Sequence, residues 1–163
     1  MTKSVKLDAL DRRIVLALQQ DASLSNAELA ERVGSTSPSC WRRIRLLEEA
    51  GVLGRTVRLA DQEQLGQSVN MLCNVRMRNF EAESVTAFED FIQAEERILE
   101  CFSMSGDWDY LLRVIASDVS DYEKFLMHNL LKHPSVASAS SHLALRVTKY
   151  QTAIPVCPTR CVR

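Results

Sequence analysis

The chain has 163 residues, near half of them hydrophobic with few aromatics, the composition of one ordinary globular domain or two small ones. No apolar run approaches the length of a membrane span, and Met1-Thr2-Lys3-Ser4 opens without the apolar core of a signal peptide, so the expected compartment is the cytoplasm. The net charge of −1 conceals an asymmetry: ten Lys and Arg against seven Asp and Glu in residues 1–60, but ten against fourteen in 61–163, which fits a nucleic-acid module joined to a different domain.

Leu10, Ile14, Ala17 and Leu18 keep helical spacing behind Asp8 and Asp11, predicting a helix over 8–20. Asp21-Ala22-Ser23 breaks it. Ser25 and Glu28 form a capping box, Leu24 and Leu29 sit where a hydrophobic staple would, and a second helix runs to Val33. Gly34 suits a left-handed helix end. Gly34 to Thr36 is the turn into a third helix, with Ser37 as N-cap and Pro38 at the first helical position. On that helix Cys40, Ile44 and Leu47 share one face, Arg42 and Arg45 the opposite one, and Trp41 and Arg43 the flanks.

The first turn of this third helix is hydroxyl-rich and uncharged, and no acid precedes Glu48. The pattern suits a helix whose N-terminus enters a DNA major groove. Ser37, Ser39, Arg42, Arg43 and Arg45 would contact DNA, with Ser35, Thr36 and Trp41 close by. A lone surface helix with solvated arginines explains the same residues. A short helix and a tight glycine turn before it make the set a helix-turn-helix. Gly51 is expected as a left-handed cap, and Arg55-Thr56-Val57-Arg58-Leu59 alternates like a short strand, a wing beside the phosphates.

Three stretches carry a specific resemblance: Leu10-Asp11-x-x-Ile14, Leu24-Ser25-x-x-x-Leu29-Ala30-x-x-Val33-Gly34, and Arg43-Ile44-x-x-Leu47-Glu48-x-x-Gly51-Val52. They resemble the DNA-binding domain of the leucine-responsive/asparagine-regulator (Lrp/AsnC) family of transcription factors.

Asp61 to Asn70 reads as a hinge, loosest at Gly66-Gln67-Ser68. Alternation over Met71 to Arg78 predicts a strand, Val85, Phe88 and Ile92 a helix through Glu96, and Ile98 to Met104 a second strand. Ser105-Gly106-Asp107-Trp108 is a turn, and Asp109 to Ala116 a third strand. Ser120 and Glu123 suggest a capping box for a helix with Tyr122, Phe125, Leu126 and Leu130 inward, ended by Pro134. Val136 to Thr148 is a long last strand. The order β-α-β-β-α-β is the split ferredoxin-like unit. Two helices cover one sheet face, and a second copy most simply covers the other. The fold class is α+β: a winged helix-turn-helix domain at 1–60, a hinge at 61–70, a ferredoxin-like domain at 71–156 and a tail at 157–163.

The same order is that of the Lrp/AsnC effector domain, and Met104-Ser105-Gly106-Asp107-Trp108-Asp109-Tyr110-Leu111-Leu112 is similar to that family's glycine turn with its acidic-aromatic pair. The resemblance spans roughly residues 7–156 and implies a homodimer, often assembled further, that binds a small amino acid between subunits near the turn. Met104, Ser105, Gly106, Asp107, Trp108 and Asp109, with Ser141 and His142 on the last strand, are the implied effector residues. Asp107 and Asp109 are acceptors for an ammonium group or caps of a β-turn. Trp108 is a pocket wall or an interface plug. Met104, Trp108 and Leu143 as neighbours favour a neutral or apolar amino acid.

Among five cysteines, Cys40, Cys73 and Cys101 read as small hydrophobes. Cys157-Pro158-Thr159-Arg160-Cys161 is a tail with no pattern for order; it reads as a segment without a role ahead of a reactive pair or a crosslink point. A CxxxC alone is not a zinc site, and no cofactor, metal or membrane partner is expected. His128, His133 and His142 do not cluster with a nucleophile, so no catalytic set is assigned. Two rival readings remain: a tetrapyrrole-modifying enzyme on the same two-domain plan, and a weakly specific DNA-compacting protein. The first would need a vacated recognition helix, and the second turns on the ratio of operator to random-DNA affinity.

Overall fold

The computed structural model describes residues 6–156, which form two compact units: residues up to Arg58 together with those from Lys149 onward, and Leu59–Thr148. The Cys157 and Cys161 pair lies outside the described residues.

The first unit holds three helices, α1 (Ala9–Gln20), α2 (Asn26–Val33) and α3 (Ser37–Glu49). Asp8 caps α1: its carboxylate accepts from the N–H groups of Leu10 and Asp11, and Asp11 accepts from the Asp8 N–H in return. Ser25 and Glu28 close the same reciprocal box on α2. Gly34 ends α2 at φ +64, where a β-carbon would be strained. The apolar stripes meet in one core of Ile14, Val15, Ala17, Leu29, Ala30, Val33, Cys40 and Leu47.

Three details differ from the sequence reading. The N-cap of α3 is Thr36, with no side-chain hydrogen bond, which puts Ser37 at the first helical position and Pro38 at the second. Proline is tolerated at both places, so its position alone does not fix the start. Residues 54–60 form no strand, and Val57 and Leu59 are exposed, because nothing described pairs with them. The expected second domain ran to residue 156, but its last residues join the first unit. There Gln19 Nε2 donates to the Ile154 carbonyl at 3.0 Å, Gln19 Oε1 accepts from the Ile154 N–H at 2.7 Å, and Val156 packs on the helical core.

The second unit contains β1 (Val69–Met77), α4 (Ala82–Ala94), β2 (Ile98–Ser103), β3 (Tyr110–Ala116), α5 (Val119–Phe125) and β4 (Val136–Leu143). The sheet is antiparallel in the order β2-β3-β1-β4. Both helices cover one face, over a core that includes Cys73, Val75, Phe88, Leu112, Val114, Phe125, Leu130 and Val136. A π-helical turn, Leu126–Leu130, continues α5. Phe125 and Leu130 are five residues apart, would diverge on an α-helix, and here are both fully buried.

The cap of α5 is Asp118, which accepts from the Asp121 N–H at 2.8 Å, so the Ser120 and Glu123 box is not the one used. The strand β4 stops at Leu143, five residues short of Thr148, because its partner β1 runs out at Asn70 and Met71. The expected hinge holds an ordered turn in which the Gln67 N–H donates to the Gln62 carbonyl and Asp61 accepts from the Gln64 N–H.

Candidate DNA-binding helix and effector turn

Helix α3 offers two kinds of arginine. Arg42 and Arg45 are exposed, and the Arg45 guanidinium lies 5.4 Å from the centroid of the exposed Trp41 ring. Arg43 is turned toward α1. Its Nη1 lies 2.5 Å from the Asp8 carboxylate and 2.7 Å from that of Asp11, and its Nε is buried without a partner. The carboxyl of Asp8 is held below its ordinary range, first by the Asp11 N–H and then by Arg43. The flank position of Arg43 suits a residue that combines a phosphate contact with packing, and the structure gives the packing half: Arg43 lies against the first helix, where two acids neutralise it. Ser35, Ser37 and Ser39 are partly exposed and Thr36 exposed, all at the start of α3. Their N-terminal position gives any approaching phosphate free backbone N–H groups as well as hydroxyls.

In the second unit the turn between β2 and β3 is fastened at its base. The Met104 N–H donates to the Asp109 carbonyl at 2.8 Å, and the Asp109 N–H donates to the Val75 carbonyl at 3.0 Å. One Asp109 carboxylate oxygen accepts from the Met77 N–H at 2.7 Å. It serves the end of β1, where the ladder to β3 has stopped at Val75. Of the two meanings weighed for Asp109, that contact gives it a structural one; Asp107 is exposed with no side-chain partner among the described residues. Gly106 sits at φ +124 with nothing within 4 Å of a would-be β-carbon, so backbone geometry and not space demands glycine. Ser105, Gly106 and Met104 are exposed and Trp108 half-buried.

Ser141 and His142 part company. Ser141 pairs with Cys73 in register and lies on the helix-covered face, its Oγ 2.5 Å from the Tyr122 hydroxyl and 3.7 Å from Cys73 Sγ. Burial pushes the Tyr122 and Cys73 ionisations up, so this is a neutral polar contact inside the core. Ser141 therefore does not face the same space as His142, which pairs with Leu72 on the open face. The β4 residues level with the turn are Ser138 and Ala139, opposite Arg76 and Val75. Leu143 pairs with Met71, at the far end of β1 from the turn.

Arg76 is the residue that the sequence reading passed over. Its Nη2 donates to the Asp107 carbonyl at 2.5 Å, and its guanidinium lies 5.0 Å from the centroid of the Trp108 ring. Alternation in β1 put it on the uncovered face, but only the tertiary register brings it to the turn.

Two family models match the chain. One, described as the Lrp/AsnC ligand binding domain, covers residues 70–154, and one, described as a winged helix-turn-helix DNA-binding domain, covers residues 7–53. The Escherichia coli DNA-binding transcriptional activator DecR is 31% identical over 92% of this chain and 99% of its own length. The leucine-responsive regulatory protein of Rhizobium meliloti is 33% identical over 91% and 96%. Among solved structures, a transcriptional regulator from Neisseria meningitidis in complex with L-methionine superposes with a TM-score of 0.89 at 30% identity, covering 92% of this chain and 97% of that one.

Proposed function

The chain belongs to the Lrp/AsnC family of transcriptional regulators, DNA-binding and amino-acid-responsive, and from that premise we propose which of its residues carry each task. The exposed face of α3 reads the operator. Arg42 and Arg45 supply the free cations, Ser37 and Ser39 the hydroxyls at the helix start, and Ser35, Thr36 and Trp41 border them. Arg43 holds α3 against α1.

An amino acid binds beside the turn 104–109, on the side of the open sheet face, and a second copy of the chain closes that site as a homodimer. The observation that carries this reading is the turn itself. Gly106 holds a backbone shape closed to other residues, and the N–H groups of 105–108 have no acceptor among the described residues. Such a run of N–H groups receives a carboxylate, and the free carboxylate of Asp107 receives an ammonium group. The methionine complex of the Neisseria relative supports an amino acid as the class of effector. Binding shifts the population between assemblies, which requires unequal affinity of the amino acid for them. The protein does this work in the cytoplasm, and no helix among the described residues is long and apolar enough to cross a membrane.

Mapping genomic binding in cells grown with and without an amino-acid mixture tests the reading. A limited set of sites whose occupancy changes with the mixture is expected. Uniform binding, with fragments from peaks retained no more tightly than random DNA at fixed salt, contradicts it.

A further inference from the structure

Of the five arginines of the second unit, two are neutralised by acids: Arg97 pairs with Glu95 and Asp121, and Arg113 with Glu100. Exposed Arg146 lies on the chain beyond β4, away from the turn. Arg78 donates to the carbonyls of Pro134 and Val136. Arg76 has no carboxylate partner among the described residues, although it stands beside Asp107, whose backbone carbonyl and not its acid it engages. It projects from β1 onto the open sheet face and is exposed. The guanidinium lies over the Trp108 ring, and the Asp107 carbonyl occupies one Nη2 donor, so two contacts hold the group at the turn. The remaining donors form a pre-set fork at the edge of the glycine turn, and a guanidinium fork matches a carboxylate two bonds at a time.

We propose that Arg76 is the receptor for a carboxylate of the effector and that it sets the effector class. The proposal rests on the reading that the amino acid binds beside the turn 104–109. A cation held on an indole there attracts an anionic group and repels a second cation, so amino acids with lysine-like or arginine-like side chains are turned away. This departs from the expectation based on apolar neighbours alone, because an unneutralised guanidinium admits acidic side chains as well as neutral ones. The carboxylate it takes is the α-carboxylate common to all amino acids or the side-chain carboxylate of an acidic one, and the two are separable.

The test is calorimetric titration of the full-length protein and its Arg76→Gln and Arg76→Lys variants with three acid–amide pairs: L-leucine and L-leucinamide, L-methionine and L-methioninamide, and L-glutamate and L-glutamine. The readout is the ratio of acid to amide affinity within each pair. In Arg76→Gln that ratio is expected to fall about tenfold or more, the usual worth of a charge-assisted bond. Arg76→Lys, which keeps the charge and loses the fork, recovers part of it. A fall in the leucine or methionine pairs assigns Arg76 to the α-carboxylate, and a fall confined to glutamate over glutamine assigns it to the side chain. An unchanged ratio, even if both affinities drop together, means that Arg76 merely braces the turn and overturns the proposal alone. If none of the six compounds binds the wild type at millimolar concentration, the effector-turn reading fails and takes this proposal with it.

Discussion

Three arginines within four positions of α3 have different fates because a helix turns 100° per residue. Arg42 and Arg45 face outward, and Arg43 faces the N-terminus of α1. Arg42→Ala and Arg45→Ala are expected to weaken operator binding by about 1–3 kcal/mol where the contact is to a base, or to flatten the salt dependence by about one unit where it is to a phosphate. Arg43→Ala is expected to leave the salt slope alone and to lower the stability of the first unit by about 1–3 kcal/mol, between the values for exposed and buried ion pairs, since it leaves Asp8 and Asp11 without their shared cation. Binding titrations at two salt concentrations, with thermal melts of the same variants, separate the two classes. Gly106 calls for a different argument. Nothing crowds its missing side chain, so Gly106→Val acts through the φ of +124 rather than by filling space. Strain of about 1–3 kcal/mol reshapes the turn. The variant is expected to lose its amino-acid response in calorimetry while binding DNA without effector as the wild type does; an unaltered response would put the pocket elsewhere.

At the scale of elements, the N-terminus of α1 is an ionic joint. The Asp8 carboxyl lies below its ordinary value of 3.8 because N–H groups and Arg43 favour its charged form. A depressed folded-state value contributes stability that is present above about pH 3.8 and is lost as the pH falls through the lower folded value. The first unit is therefore expected to melt at lower temperature below about pH 4. The gap between wild type and Asp8→Asn should narrow over the same range, which melts from pH 7 to pH 3 would show. The boxes at Asp8 and Ser25 illustrate what a sequence makes legible: both ends of the interaction lie three residues apart, and the chemistry is local. Where several hydroxyls or acids crowd one helix start, the pattern does not choose among them, and so Thr36 and Asp118 took the places expected for Ser37 and Ser120. Strand length is less local still. Leu145 and Val147 continue the alternation of β4, but a strand ends where its neighbour does. Of the candidate effector site, the glycine turn was readable because only glycine serves there. Arg76 was hidden, and Ser141 misplaced, because the face of each follows from the cross-strand register.

At the scale of the molecule, the sheet of one copy is half covered. Its helix-free face carries Leu72, Leu111 and Phe102 among Asn70, Asn74, Arg76 and Arg113, and Leu111 stands opposite both Phe102 and Asn74. Phe102 is 50% exposed, a loss that a second copy laid face to face would recover, since each buried Å² of apolar surface is worth about 25 cal/mol. The expected smallest species is thus a dimer, and its two α3 helices read half-sites about 34 Å apart or a multiple of that. Leu111→Glu, at the middle of the face, is expected to give a folded monomer by sedimentation equilibrium at micromolar concentration. A wild type that is itself a folded monomer at that concentration would rule the arrangement out. The DNA gives an independent check. Five base pairs inserted between half-sites turn the second one to the far side of the duplex, whereas ten restore it to the same face. Wild-type affinity should fall with the first insertion and recover in part with the second, while the Leu111→Glu monomer should bind all three DNAs alike, because a single recognition helix has no spacing to satisfy.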